Sequence, residues 1–430
     1  MSVSEMFSEF IGNLAISNTT TISTRYGEIT SALNKKFRDT ESKTDNTLQV
    51  GSFGRKTGIN GISDLDMLYI MPKTKWDTYN KYDGQLKLLQ DTKTAILKRY
   101  PSTKVRVDRL VVTVTYTNFH VEVQPVFEQD DDSFKYPDTS NGGSWKITKP
   151  KEEMSAIADL NLRRLCKMAR SWKNKHGVAM GGLLIDTLAY NFLNSTSDYD
   201  SRSYAFYHWL SRDFFKYLSE LPKKTKYSAP GSRQDVKVKK PFQRKAKKAY
   251  KLCREAIEAE NNKNVNDKWK KVYGRPFPAA TEETTKSRSF TDTWRNTEEF
   301  IEDKFNIDIR EFLRIDCEVK KNGFRQYFLS EKSSSRFKLG VNKSLRFTVT
   351  KLSVTEPYQI YWKVLNRGDV ARKRNMIRGQ IVPDLGHEEL TESTSFRGDH
   401  IVECYCVKDG VVVAKDRIKV PIGSEGNEND

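Results

Sequence analysis

Cysteine is scarce in this chain: there are five in 430 residues, Cys166, Cys253, Cys317, Cys404 and Cys406, and none forms a C-x-x-C pair. That argues against a disulfide framework and a cysteine-rich zinc module, leaving reduced, buried thiols as the expectation. Histidine is equally rare. His120, His176, His208, His387 and His400 show no ligand spacing, so none is assigned a role. Long apolar runs are missing too. The longest, Val178 to Leu193, is short and contains Asp186, and the opening text MSVSEMFSEFIGNLAISN has no basic segment ahead of an apolar one. Both absences argue against a membrane span or an export signal, and the expectation is a folded cytoplasmic protein.

What is present is a globular composition, 37% hydrophobic and 30% charged, in a chain long enough for two or three domains. Basic residues outnumber acidic ones by 74 to 56, a net charge of +18 that suits a polyanionic partner without naming it. The densest run lies between Pro222 and Arg254, where 13 basic residues face the single acid Asp235. A solvated loop and helix face explains that run as well as a phosphate-facing surface does.

Periodicity divides the chain into three blocks. ISTRYGEITSALNKKF has the three-to-four spacing of an amphipathic helix, and TLQV, SDLDMLYIM, VRVDRLVVTVTY and FHVEVQPVF have the alternation or β-branched content of strands. From Ser155 to about Glu260 the pattern is helical, in MSAIADLNLRRLCKMARSW, VAMGGLLIDTLAYNFL and FQRKAKKAYKLCREAIEAE. After the linker text FPAATEETTKSRS, strands return in SLRFTVTKL, YQIYWKVL, HIVECYCV and VVVAKDRIKVPI, with turn residues at Asn366, Gly368, Asp409 and Gly410. This third block, ending in the acidic GSEGNEND, reads as a β-sandwich.

The chemistry concentrates in the first block. Eleven residues separate Ser52, in a Gly51-Ser52 turn, from Asp64, which opens a strand with Asp66 two positions on. Residues i and i+2 of a strand face the same way, so the two carboxylates project together while Leu65 goes to the core. Such a pair is a hard-oxygen site for Mg²⁺, and two-metal phosphoryl transfer needs a further acid. Glu122, on FHVEVQP, supplies it, from a strand expected to pair with 110–116 through a turn at Thr117-Asn118. A P-loop is excluded for GSFGRKT, because Arg55 stands where a glycine must precede the lysine.

The Gly-Ser turn, the paired aspartates before four apolar residues, and a third acid three residues before a proline resemble the DNA polymerase β-type nucleotidyltransferases. Within these, LQVGSFGRKTGINGISDLDMLYIMP resembles the cGAS/DncV-like nucleotidyltransferases (CD-NTases, SMODS type) of bacterial antiphage signalling, over about residues 20–278. The text from YQIYWKVL to VKDGVVVA is similar to the AGS-C sensor module that accompanies them. The resemblance implies an α/β fold: a polymerase β-like catalytic core at 1–154, a helical subdomain completing the nucleotide cleft at 155–280, and an AGS-C-like, β-rich sensor domain at 296–430. It implies a Mg²⁺-dependent enzyme (two ions, Mn²⁺ as a substitute) making a cyclic di- or trinucleotide from NTPs, whether ATP, GTP or pyrimidine triphosphates, in CBASS-type defence.

The same resemblance assigns Asp64, Asp66 and Glu122 as catalytic metal ligands. It gives Gly51, Ser52 and Thr57 to the triphosphate, with Lys56 where the family often has glycine. Lys167 and Arg170 replace the lysine of a K-x-W pattern ahead of Trp172, and Gly181-Gly182 replaces a serine of the next helix. Trp145 and Tyr136 are weighed as base-stacking residues against packing, and Asp130-Asp131-Asp132 as a solvated loop. Trp362, Asn366, Arg378, Gly379 and His400 either line a sensor pocket or close the sandwich. Membrane partners are not expected, and nucleic acid is left open. Two other functions stay open: nucleotide addition to an RNA or protein acceptor, and a catalytically silent nucleic-acid sensor.

Overall fold

Strand alternation decides which side of the main sheet can carry chemistry. The computed structural model describes residues 1–200, 202–280, 299–320, 326–331, 337–366, 379–394 and 398–423, apart from the side chains at 302, 303, 398 and 399. These fall into two compact units, one taking 1–176 with 180–280 and the other 177–179 with the residues from 299 onward. Gly368, Arg378, the linker beyond 280 and the acidic tail lie outside the described residues.

The first unit opens with helices α1 (Val3–Asn13) and α2 (Thr19–Arg38), then β1 (Thr47–Gln49), the single helical turn α3 (Gly51–Gly54) and β2 (Asp64–Ile70). Next come α4 (Trp76–Tyr79), α5 (Gly84–Arg99), β3 (Lys104–Val107), β4 (Val112–Thr115), β5 (His120–Glu128), β6 (Phe134–Asp138) and β7 (Ser144–Thr148). The sheet order is β1-β2-β5-β4-β3, with β6 joining β5 to β7. Only β2 and β5 run parallel among these pairs, and β4 returns into β5 through residues 117–118 as the sequence suggested. Leu65, Met67, Val112, Val114, Val121 and Val123 point to one side and pack on Ile29 and Leu33 of α2 and Leu88, Leu89 and Ile96 of α5. Each such buried side chain contributes about 1.5–3 kcal/mol. A one-residue slip of β5 would drive Glu122 into this core, so the register is strongly fixed.

Helices follow: α6 (Pro150–Ala156), α7 (Leu160–His176), α8 (Gly182–Leu193) and α9 (Tyr207–Glu220), the short hairpin β8 (Lys226–Ser228) and β9 (Asp235–Lys237), then α10 (Gln243–Ile257) and α11 (Val265–Tyr273). The periodicity of 154–172 suggests one helix, but two are present. Asp159 breaks the run: its Oδ1 accepts the backbone N–H of Leu162 at 2.7 Å, starting α7 as a new helix. Helix α1 is capped by Ser2 and Glu5 and packs with the helices: Phe7 meets Trp269 edge-on at 5.0 Å.

The second unit is built from β10 (Asn306–Ile307), β11 (Leu313–Lys320), β12 (Tyr327–Phe328), β13 (Ser344–Leu352), β14 (Gln359–Asn366), β15 (Ile381–Pro383), β16 (Glu389–Ser393), β17 (Gly398–Lys408) and β18 (Val411–Ile422). Two sheets, β10-β18-β17-β14-β15 and β12-β11-β13-β16, share one core that includes Cys317, Phe347, Trp362 and Cys404. The β17–β18 hairpin turns at Asp409 and Gly410, both with positive φ, as a tight two-residue turn requires. Trp362 is buried and donates Nε1–H to Asp384 at 2.9 Å, and Nδ1 of His400 lies 2.7 Å from the Asn366 side-chain oxygen across paired strands. Both residues therefore make contacts inside the sandwich. No helix among the described residues is long and apolar enough to cross a membrane.

Candidate active site

The face of the sheet opposite the core carries the acids. Parallel pairing sets Asp64 beside His120 and Asp66 beside Glu122, while antiparallel pairing sets Glu122 beside Thr113. Two strands thus bring together three carboxylates that sequence spacing alone could only pair. Asp64, His120 and Glu122 each offer one ligand atom within 4.8 Å of the others. Asp64 is buried, whereas Glu122 keeps part of its side chain in solvent.

His120 is a site residue that spacing arguments passed over. Its Nε2 lies 2.6 Å from Asp64 Oδ1 and 3.7 Å from Glu122 Oε1. The signal was present, since His120 and Glu122 are i and i+2 of one strand and share a face. A metal-bound histidine normally donates its other ring N–H to an acceptor, yet His120 Nδ1 is buried with no hydrogen-bond partner among the described residues. It therefore fits better as the donor that fixes Asp64 than as a ligand. The oxygen set that remains suits a hard divalent cation.

Gly51 closes the site from the β1 side. Its φ is +63°, and a Cβ there would lie 1.7 Å from Asp66 Oδ2. Only glycine permits both the backbone turn and this approach to a carboxylate. The turn is held by Val50 N–H donating to Asp66 O at 3.0 Å, and by Thr57 N–H and Gly58 N–H donating to Ser52 O at 2.9 and 3.0 Å.

Thr57 and Arg170, expected at the triphosphate, are instead turned inward. Both meet Asp186, which is fully buried: Arg170 donates to its two oxygens at 2.5 and 3.0 Å, Arg55 at 2.9 Å and Thr57 Oγ1 at 3.1 Å. Arg170 also donates to the Gly182 carbonyl at 3.1 Å, and Arg55 reaches Glu153 at 3.1 Å. A buried carboxylate without partners is costly, and the inward-turned side chains of Arg55, Thr57 and Arg170 supply those partners to Asp186. Burial alone would raise the Asp186 pKa, but Arg170 and Arg55 outweigh it and hold it at about 2. For Glu153 burial prevails over Arg55, and its pKa is raised. The result is a bolt between the end of the Gly-Ser turn and helices α6, α7 and α8.

Lys167 is half-buried and faces a cavity of about 740 Å³ whose walls include Gln49, Phe53, Gly54, Lys56 and Met154. None of the three carboxylates is among the described wall residues. Burial, and then Arg163, Arg164 and Arg170, lower the Lys167 pKa. Lys56 holds a left-handed backbone with φ +59°. Trp145 packs on Trp76 and Phe127 and donates to Asn80 at 3.0 Å, which makes it a packing residue, and Asp130, Asp131 and Asp132 are exposed and paired with lysines.

Comparison with known proteins adds the family. Residues 1–161 match the Second Messenger Oligonucleotide or Dinucleotide Synthetase (SMODS) domain, and residues 295–423 match the Adenylyl/Guanylyl and SMODS C-terminal sensor (AGS_C) domain. No curated protein matches. Among solved structures, the chain is similar to Escherichia coli MS115-1 CdnC in its HORMA-deltaN complex, with 14% identity, a TM-score of 0.49, and coverage of 64% of this chain and 98% of that one. It is also similar to Vibrio cholerae DncV cyclic AMP-GMP synthase with the linear intermediate pppA(3′,5′)pG, with 13% identity, a TM-score of 0.44, and coverage of 65% and 88%. Bradyrhizobium diazoefficiens CdnG in complex with GTP matches at 10% identity and a TM-score of 0.47, covering 63% and 94%. With its two domain matches in this order, the chain belongs to the cGAS/DncV-like nucleotidyltransferases of the SMODS type that carry a C-terminal AGS-C domain.

Proposed function

We propose that this nucleotidyltransferase joins two or three nucleoside triphosphates into a cyclic second messenger for CBASS-type antiphage signalling, with Asp64, Asp66 and Glu122 as its catalytic carboxylates. The observation that carries the chemistry is the cross-strand register that gathers these acids beside Gly51. They would hold two divalent ions, Mg²⁺ by the hardness of the oxygen set, and the ions would polarise the attacking hydroxyl and neutralise the leaving pyrophosphate. His120 orients Asp64 through its hydrogen bond. Gly51 and Ser52 let the main chain approach the donor triphosphate. Lys167 is the cation we assign to the donor phosphates, and Thr57 and Arg170 act behind the turn, keeping it in place through Asp186.

The SMODS match favours oligonucleotide synthesis over addition to an RNA or protein acceptor, which the same carboxylates would also serve. In this reading one site makes every bond: the linear intermediate turns, and its triphosphate becomes the electrophile. The AGS-C unit would sense the activating ligand, and the chain would work in the cytoplasm. The experiment is incubation with single and mixed NTPs, with and without acceptor RNA, followed by mass analysis. Phosphatase-resistant di- or trinucleotides are expected. Label that enters only added RNA or protein would replace this reading with acceptor modification.

A further inference from the structure

We infer that Lys104 and Arg106, on the edge strand β3, bind the phosphates of the acceptor nucleotide, the one whose hydroxyl attacks. This rests on the reading of the chain as an oligonucleotide synthase and identifies the second half of its site. The register carries it. Lys104 pairs with Thr115, Thr115 with His120, and His120 with Asp64. Two residues along, Arg106 pairs with Thr113, Thr113 with Glu122, and Glu122 with Asp66. Two parallel rows therefore cross the sheet on the face away from the core, each running from carboxylate to cation.

The order of strands gives the rows a direction. Gly51 and Ser52, assigned to the donor triphosphate, follow β1 at one edge, the carboxylates lie on β2 and β5, and the two cations stand on β3 at the other edge. Two strand spacings separate β5 from β3, about 10 Å. A nucleotide whose ribose hydroxyl is held at the carboxylates carries its own phosphates on the far side of the sugar, away from the donor. Along this face, that is the direction of β3. Asp108 orients the cation: it accepts from Arg106 Nε at 3.1 Å and from Thr113 Oγ1 at 2.8 Å, setting the plane of the guanidinium. A guanidinium of fixed plane suits phosphate oxygens, which it meets in pairs. Charged residues also keep edge strands from pairing with other chains, but that role requires neither shared rows with Asp64 and Glu122 nor an oriented arginine.

The test varies the acceptor. Intact protein, Arg106→Gln and the double variant Lys104→Gln/Arg106→Gln are supplied with a donor NTP and with either an NTP or the corresponding unphosphorylated nucleoside as acceptor, using adenine and guanine forms. Calorimetry measures binding of a linear dinucleotide with a 5′-triphosphate and of the same dinucleotide with a 5′-hydroxyl to these proteins and to Lys167→Gln, whose loss reports the triphosphate held on the donor side. The expected result is a selective loss. The advantage of the triphosphate over the unphosphorylated acceptor, in rate and in affinity, falls about tenfold or more in Arg106→Gln and further in the double variant, the scale of a lost charge-assisted hydrogen bond. Arg106→Lys recovers part of it. Equal losses for both acceptors would mean a structural role and overturn the inference, as would no loss at all. If the intact protein forms product and its dinucleotide affinity does not depend on the 5′-phosphates, this inference falls and the proposed function stands. If it makes no oligonucleotide from any NTP, the proposed function falls, and calorimetry alone then decides the phosphate site.

Discussion

Replacing Asp186 with asparagine keeps the volume of the side chain and removes its charge. Arg55 then keeps Glu153, while Arg170 loses the carboxylate that both of its terminal nitrogens meet. Two estimates give the size of the effect. A carboxylate held at about 2 rather than near 3.9 contributes about 2–3 kcal/mol at neutral pH. Breaking a buried ion pair by removing one partner costs about 3–5 kcal/mol. We expect a loss of about 3 kcal/mol, or roughly 5 °C in Tm for a unit of this size. Calorimetric unfolding of the intact chain, following the transition of the first unit, measures it. The sign with pH is a second check. The folded pKa lies below the unfolded value, so the contribution is present above about pH 4 and is lost as pH falls towards 2. Asp186→Asn should flatten that part of the stability curve. Adding Arg170→Met to Asp186→Leu should recover stability, because Arg55 keeps Glu153 and the other charges leave together. A Tm for Asp186→Asn within 2 °C of the parent, with an unchanged acid limb, would refute the bolt.

Asp64→Asn and Asp66→Asn should each abolish product formation while the protein stays folded, and full turnover by either at ordinary Mg²⁺ would remove them from the site. Gly51→Ala should be as inactive, since its methyl group would displace Asp66; a circular dichroism melt near that of the parent would separate this from unfolding. Lys56→Gly relieves a left-handed residue that costs about 1 kcal/mol, so stability should stay level or rise by up to that amount in chemical denaturation, whereas a fall would contradict the assigned backbone. His120→Phe should raise the metal concentration for half-maximal activity about tenfold and His120→Asn should raise it less; a rise of equal size in both would exclude the hydrogen bond to Asp64.

The strands and their facing were legible from sequence where the information is local. Asp64 and Asp66 are two residues apart, and Val121 and Val123 flank Glu122, so alternation alone turns the acids one way and the apolar residues the other. The strands of the second unit at 344–352 and 411–422 follow the texts that suggested them. What was not legible depends on partners far along the chain. Arg170 looked like a phosphate ligand because its own segment gives no hint of Asp186, and Thr57 meets the same carboxylate 129 positions away. The break before Leu160 was hidden because Asp159 is polar in either role, as a helix residue or as a cap. His120 was passed over because a search for histidine spacing ignores the strand that aligns it with Asp64.

The two rows across the sheet also bear on how such an enzyme can change. Positions 105, 112, 114, 121 and 123 are the ones that build the apolar layer, and 104, 106, 113, 115, 120 and 122 alternate with them on the face that carries Asp64, Asp66 and Glu122. Because the two sets interleave residue by residue, substitutions that alter substrate preference leave the apolar layer intact. Selection can therefore retune the polar rows while the scaffold beneath them is inherited unchanged.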